Sequence, residues 1–208
     1  MKLTILLLFF CVVGDDTKKG DFFMKESKMR VWIEGAFAAA FAMALSFIPL
    51  DFGPAFSISI GMVPVLVYTF RRGTLPGLAS GLIWGLLHVV LGKAYILTVS
   101  QGLIEYFLAF TVVGLSGLYA KPIQKSLKEG KGHFGINLLI GVTIGTFARY
   151  LIHFWAGVLF WGQYAMWGLG PVVYSLVING LNGLVTGAAT YIILLILAKK
   201  NQNLFLPK

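Results

Sequence analysis

The chain has 208 residues, 17 of them basic and 8 acidic, for a formal net charge of +9, yet only 12% is charged and 58% is hydrophobic. A soluble domain carries about 25% charge, and a chain of this size cannot hide so much apolar surface from water. Composition therefore excludes disorder, a disulfide scaffold and an ordinary soluble enzyme, and indicates a membrane protein.

Cys11 is the only cysteine, so neither a disulfide framework nor a thiolate metal site is expected. His88, His133 and His153 are far apart and lack HExxH-type spacing. No metal, cofactor or catalytic residue is expected.

Residues 1–23 come first along the chain. Lys2 followed by the apolar run 3–13 looks like a secretory leader, although Phe10 before Cys11 makes a poor lipoprotein cleavage site. Lys18-Lys19-Gly20-Asp21-Phe22-Phe23-Met24 can also be spelled by codons reading AAAGGGGA shortly before an ATG, a bacterial ribosome-binding site read in frame. The expectation is that Met24 is the true start and 1–23 a mis-assigned upstream segment, with a signal-like leader as the alternative. Residues 24–208 then form one transmembrane domain.

From Met24 onward, apolar stretches fall at about 32–50, 52–70, 75–91, 94–120, 134–161 and 171–198. A bilayer core of about 30 Å needs about 20 helical residues, so all six can span. Backbone groups in lipid must be satisfied internally. The alternation of a barrel strand is not sustained anywhere, so the stretches read as helices. The fold class is all-α, a polytopic membrane protein with six transmembrane helices.

The loops orient it. Lys25, Lys28 and Arg30, then Arg71 and Arg72, then Lys121, Lys125, Lys128 and Lys131, then Lys199, Lys200 and Lys208 all fall on one side; the other side has Lys93. The positive-inside rule puts both termini in the cytoplasm. The basic charge is thereby accounted for by orientation, without nucleic acid.

Small residues recur at packing spacing: Ala36, Ala40 and Ala44 on helix 1, Gly77, Gly81 and Gly85 on helix 3, Gly141 and Gly145 on helix 5. On helices 3 and 5 internal packing is the plain reading. Ionisable residues within spans are costly and functional by default. Glu34, near the start of helix 1, reads as structural, and His88 as interfacial. Arg149 reads as a partner for a carbonyl or carboxylate. Glu105 and His153 fall in the outer half of helices 4 and 5. Gln101 and Glu105 share one helix face, and His153, Gly157 and Trp161 share another. Tyr174 and Asn179 lie at similar depth on helix 6 but about 140° apart, so they line one site only if it wraps the helix or the first turn is irregular. The outer loops add Phe52, Phe56, Tyr95, Tyr164 and Trp167, which alone would be an interfacial belt. Beside a buried carboxylate and an imidazole they describe an outward-open pocket for a small, aromatic, cationic ligand.

No nucleotide-binding loop is present; Gly130-Lys131-Gly132 lacks the preceding glycine and strand. No internal duplication supports an inverted-repeat transporter. A binding subunit that borrows its motor fits these absences.

The chain resembles the thiamin-specific substrate-binding (S) components of energy-coupling factor (ECF) transporters over about 30–200. The segments that carry this are Ala94-Tyr95-Ile96-Leu97-Thr98-Val99-Ser100-Gln101, Glu105-Tyr106, His153-Phe154-Trp155-Ala156-Gly157-Val158-Leu159-Phe160-Trp161-Gly162-Gln163-Tyr164-Ala165 and Tyr174-Ser175-Leu176-Val177-Ile178-Asn179-Gly180. The resemblance implies a non-enzymatic protein of the bacterial cell membrane. It implies thiamin contacts at Tyr95, Glu105, Tyr106, His153, Gly157, Trp161, Tyr174 and Asn179. It implies docking of Ala36, Ala40 and Ala44 on a transmembrane coupling subunit, with two ATPases completing the transporter. This chain departs from the family in offering Phe52 and Phe56 where a first-loop Trp can occur, and Met166 beside Trp167 where another aromatic falls. An S component for another vitamin, such as riboflavin, and a proton-coupled secondary transporter are the alternatives. Riboflavin lacks the fixed positive charge that would explain Glu105.

Overall fold

The computed structural model describes residues 26–52, 56–130 and 132–207; the expectation for 1–23 lies outside them. The described chain is mostly helical. In order come α1 (Glu26–Ser46), a two-residue antiparallel ladder of β1 (Asp51–Phe52) with β2 (Phe56–Ser57), α2 (Met62–Arg72) and α3 (Thr74–Val90). Next are α4 (Val99–Glu129), α5 (Phe134–Phe160) and α6 (Pro171–Lys200). Among the described residues α1, α4, α5 and α6 are long and apolar enough to cross a membrane, and α3 is a shorter apolar helix of 17 residues.

The stretch 52–70 is not the spanning helix expected of it. Its helical part, α2, has 11 residues, about 17 Å at 1.5 Å per residue. Gly61 opposes helix just upstream, whereas Pro64 falls in the first turn, where its missing N–H costs nothing. Met62 to Arg71 are all buried. An apolar helix buried all round is a core helix, and α2 is the centre of the bundle. Val63, Leu66 and Phe70 pack there with Ala39, Ala42 and Met43 of α1, Trp84 of α3, and Leu204 and Phe205 beyond α6.

Helix α4 departs from expectation at both ends. It begins at Val99 rather than near Ala94, because Thr98 caps it by accepting the Gln101 N–H. It continues to Glu129, carrying Lys121, Lys125 and Lys128 on an amphipathic tail whose Ile123 and Leu127 are buried. Its pitch also varies, being π-helical over Leu103–Leu108 and 3₁₀ over Val112–Tyr119. Long irregular runs of this kind mark strain or function. Here α3 and α4 touch backbone to backbone. A Cβ on Gly81 would overlap the Phe110 carbonyl, and one on Gly85 the Tyr106 carbonyl. Gly141 and Gly145 of α5 similarly admit Phe70 and Ser116. Both glycine stripes are internal packing, as expected.

Glu34 is structural. Arg72 grips it with Nε to Oε2 and Nη2 to Oε1, both at 2.7 Å, while Arg30 lies 3.3 Å and Arg71 3.5 Å away. Arg71 Nη1 donates to the Asn203 carbonyl at 2.9 Å, tying the chain end to the same basic end of the bundle. His88 is not interfacial: it is 7% exposed, with Nδ1 3.0 Å from the Trp84 carbonyl and its ring against Phe110.

Candidate ligand-binding site

A cavity of about 620 Å³ opens where α4, α5 and α6 meet at the end opposite the arginines. Of the residues expected there, Glu105, His153, Gly157, Trp161, Tyr174 and Asn179 line it.

Glu105 sits on the π-helical segment of α4 and is 9% exposed. Gln101, one turn earlier on the same face, donates from Nε2 to Glu105 Oε2 at 2.6 Å. Trp161 donates its indole N–H to Oε1 at 2.7 Å. Among the described residues every ion pair involves Glu34, and Glu105 forms none. The carboxylate is thus oriented by two neutral donors and not neutralised. An unpaired charge in a low-dielectric site is expensive, so the site favours a cation in the cavity.

Trp161 forms an aromatic wall. Its ring centroid lies 5.5 Å from Tyr95 and 5.7 Å from Tyr164, both tilted. Tyr95 packs on Trp161 and is largely exposed. Tyr106 turns toward α3, where its ring lies 6.1 Å from that of His88; Phe110, one turn along α4, faces it at 5.9 Å, and the Tyr106 hydroxyl accepts the Tyr95 N–H at 2.9 Å. Neither tyrosine is a lining side chain; Tyr106 supports the loop that holds Tyr95.

On α6 the cavity wraps the helix. Tyr174 and Asn179 bound an arc of about 140°, and at about 100° per residue Ile178, Asn182 and Ser175 fall inside it; all three line the cavity. Asn179 Nδ2 donates to the Ser175 carbonyl and hydroxyl at 3.1 Å each, leaving its own oxygen as an acceptor. The Ser175 hydroxyl donates across to the Phe154 carbonyl at 2.7 Å, and a Cβ on Gly157 would overlap that hydroxyl. Gly157 therefore marks a close approach of α5 to α6 beside the site.

Tyr164 and Met166 complete the lining. Trp167 has a left-handed backbone (φ 60°), uncommon for a bulky residue, and its ring packs on Tyr174 at 5.6 Å. Ser175 could have been found from sequence as the residue one turn before Asn179, and Asn182 as the next polar position on that face. Ile178 carries no such signal, whereas Met166 stands where the family resemblance places an aromatic. Asn182 Oδ1 accepts the Ser57 N–H at 3.1 Å, joining the first hairpin to α6. The Phe52 side chain lies outside the described residues. Arg149 finds no carboxylate among the described ion pairs: Nη1 donates to Ser59 Oγ at 2.9 Å, and Nε to His153 Nε2 at 3.4 Å.

A family profile described as Thiamine transporter protein (Thia_YuaJ) matches residues 32–206. The chain belongs to the thiamine transporter protein family. It is similar to the protein named Thiamine transporter ThiT of Lacticaseibacillus paracasei, with 39% identity over 189 residues that cover 88% of this chain and 94% of that one. Its identity to the protein of the same name in Bacillus subtilis is 33% over 161 residues, covering 75% and 84% respectively. A solved structure of ThiT from Listeria monocytogenes is similar in fold, with a TM-score of 0.85 and 45% identity over 86% of this chain and 99% of that one. Membership of the thiamine transporter family places the protein among membrane transporters rather than enzymes.

Proposed function

We propose that the protein captures thiamin at the outer face of a bacterial plasma membrane and is the S component of an ECF-type, ATP-driven uptake system. In this reading residues 24–208 cross the membrane six times, with both termini and the arginine end in the cytoplasm. The short α2 and the hairpin before it together make the second crossing. A coupling subunit and two ATPases supply the motor.

The observation that carries the reading is Glu105, a buried anion held by Gln101 and Trp161 with no cation of its own among the described residues. Thiamin offers a thiazolium with a fixed positive charge and an aminopyrimidine with an amino donor and ring acceptors. Glu105 and the free Asn179 oxygen suit the donor. Trp161 and Tyr174 suit the aromatic cation, since a desolvated cation–π contact contributes about 2 kcal/mol. Names of relatives and family membership point to the same ligand.

The test is titration of the purified protein with thiamin, riboflavin and biotin, without ATP, monitored by tryptophan fluorescence. Thiamin is expected to quench it and the other two are not. Tight riboflavin binding without thiamin binding overturns the reading.

Gly157→Ala probes the α5–α6 contact. The added methyl overlaps Ser175 Oγ, so the hydroxyl moves and its bond to Phe154 weakens. A hydrogen bond contributes about 1 kcal/mol and displacement of the cavity wall adds to it, so thiamin affinity is expected to fall about tenfold. Unchanged affinity in the same titration would show that the wall tolerates the shift and that this close approach does not shape the site.

A further inference from the structure

Behind the cavity lining, against His153, lies a buried cation that thiamin capture leaves without a role: Arg149. It is 6% exposed, and no carboxylate pairs with it among the described residues. Rings surround it instead. The guanidinium carbon lies 4.3 Å from the Phe110 ring centroid, 4.9 Å from Trp84 and 5.5 Å from Tyr150. Ser59 anchors one arm through Nη1, and the Ser59 N–H is itself held by Thr186 Oγ1 at 3.2 Å. This cage fixes where the remaining N–H groups point. One of them, Nε–H, points at Nε2 of His153, one helical turn further along α5.

The chemistry of that contact is restrictive. A guanidinium has only donors and does not lose its proton in proteins. To accept from it, His153 must keep a lone pair on Nε2. A neutral imidazole then carries its proton on Nδ1. Protonating Nε2 would break the bond and set two cations side by side with no carboxylate on either. The other titratable groups around His153 do not offset this. Tyr150 faces it on α5 at 5.7 Å, and His88 of α3 and Tyr106 of α4 pack on the Phe110 ring that in turn faces His153 at 6.3 Å. Glu105 shares the cavity, but its oxygens are held by Gln101 and Trp161.

We propose that Arg149 is a positioning residue that locks His153 in the neutral Nδ1–H tautomer, so that the imidazole meets the ligand as a hydrogen-bond donor only and carries no additional proton. The ligand half of this statement rests on the thiamin reading; the tautomer does not. A donor-only imidazole complements a ring nitrogen or hydroxyl oxygen of the ligand. It also removes His153 from any proton-coupled cycle, which separates capture alone from secondary transport.

The test is nitrogen NMR on ligand-free protein labelled at histidine. The chain has 3 histidines, and single His→Gln replacements assign their signals. In the wild type, His153 is expected to show a protonated Nδ1 and a bare Nε2 throughout about pH 5 to 8, where an ordinary histidine titrates. In Arg149→Met the Nε2–H tautomer or the imidazolium is expected to appear in that window, with thiamin affinity about tenfold lower. Arg149→Lys, which keeps a charge and a donor, is expected to recover part of both. A protonated Nε2 on His153 in the wild type overturns the proposal, and it does so even if the variants fail to fold. Because the nitrogen signals are read without ligand, a protein that ignored thiamin would strike the substrate reading while the tautomer was still decided.

Discussion

Glu105→Gln is expected to lower thiamin affinity about tenfold to a hundredfold while leaving the protein folded. The change keeps the size of the side chain and removes two things at once. The first is the charge that faces a cationic ligand; a hydrogen bond to a charged group contributes about 1.5–3 kcal/mol, which is this range of affinity. The second is acceptor capacity. Both carboxylate oxygens receive a donor, from Gln101 Nε2 and from Trp161 Nε1. The amide has one oxygen and an NH₂, so one of those donors must face another donor. Trp161 is then free to turn between Tyr95 and Tyr164, and the aromatic wall loosens with the charge. Glu105→Ala should weaken binding less than additively with Trp161→Phe, because the two residues act through one hydrogen bond. Titration with thiamin, alongside a thermal melt, checks this. Affinity that survives Glu105→Gln in a folded protein makes the carboxylate structural and removes the main support for a cationic ligand.

Much of this site was legible because helical spacing is. Gln101 and Glu105, four apart, do meet; His153, Gly157 and Trp161, at four-residue steps, do line one wall. Spacing does not reveal register across an irregular turn. The π segment over Leu103–Leu108 widens the helix by about one residue, and an added residue rotates the rest of the helix by about 100°. Glu105 faces Trp161, which follows α5, whereas Tyr106 is turned onto Phe110 and the back of the Tyr95 loop. Nothing in the letters Leu-Ile-Glu-Tyr-Phe-Leu announces that turn; it lies where α3 and α4 come together at Gly81 and Gly85, a tertiary fact.

The fold shows the same division. Helices α5 and α6 match their apolar runs within a few residues at each end, because a long apolar run bounded by polar residues or by Pro171 has one reading. The run 52–70 did not, because hydropathy scores a helix sunk in protein and one facing lipid alike. Arg149 is a third case. From sequence a lone arginine in a span calls for a carboxylate or a carbonyl. The solution in the fold is a cage of Trp84, Phe110 and Tyr150 drawn from two other elements as well as its own.

Ala40→Trp is expected to leave thiamin binding intact and to abolish both assembly with the coupling subunit and uptake. On α1 the two alanine faces are cleanly separated. Ala38, Ala39 and Ala42 are buried against the bundle, at 7%, 0% and 0% exposure. Ala36, Ala40 and Ala44 are exposed, and so are the bulky Trp32, Ile33 and Phe37 beside them. A small-residue stripe at four-residue spacing admits a second helix to close range, which is how helices associate where lipid removes the hydrophobic driving force between them. An indole at the middle position would hold that helix several ångströms off, about the length of the added side chain, and dispersion contacts do not survive such a gap. Inside the protein it meets nothing, because position 40 points outward, and the cavity is built from α4, α5 and α6. Ligand titration on the isolated variant should therefore match the wild type, while co-purification with the coupling subunit and vitamin uptake with the ATPases present should both be lost. Ala40→Gly, which keeps the close approach, should retain assembly. If the stripe merely faced lipid, the indole would be accommodated by the bilayer and uptake would be unchanged, which rules out docking there. Uptake by the wild-type protein alone, with no ATPase present, would count instead for secondary transport, and would have to find its coupling group somewhere other than a histidine held neutral by Arg149.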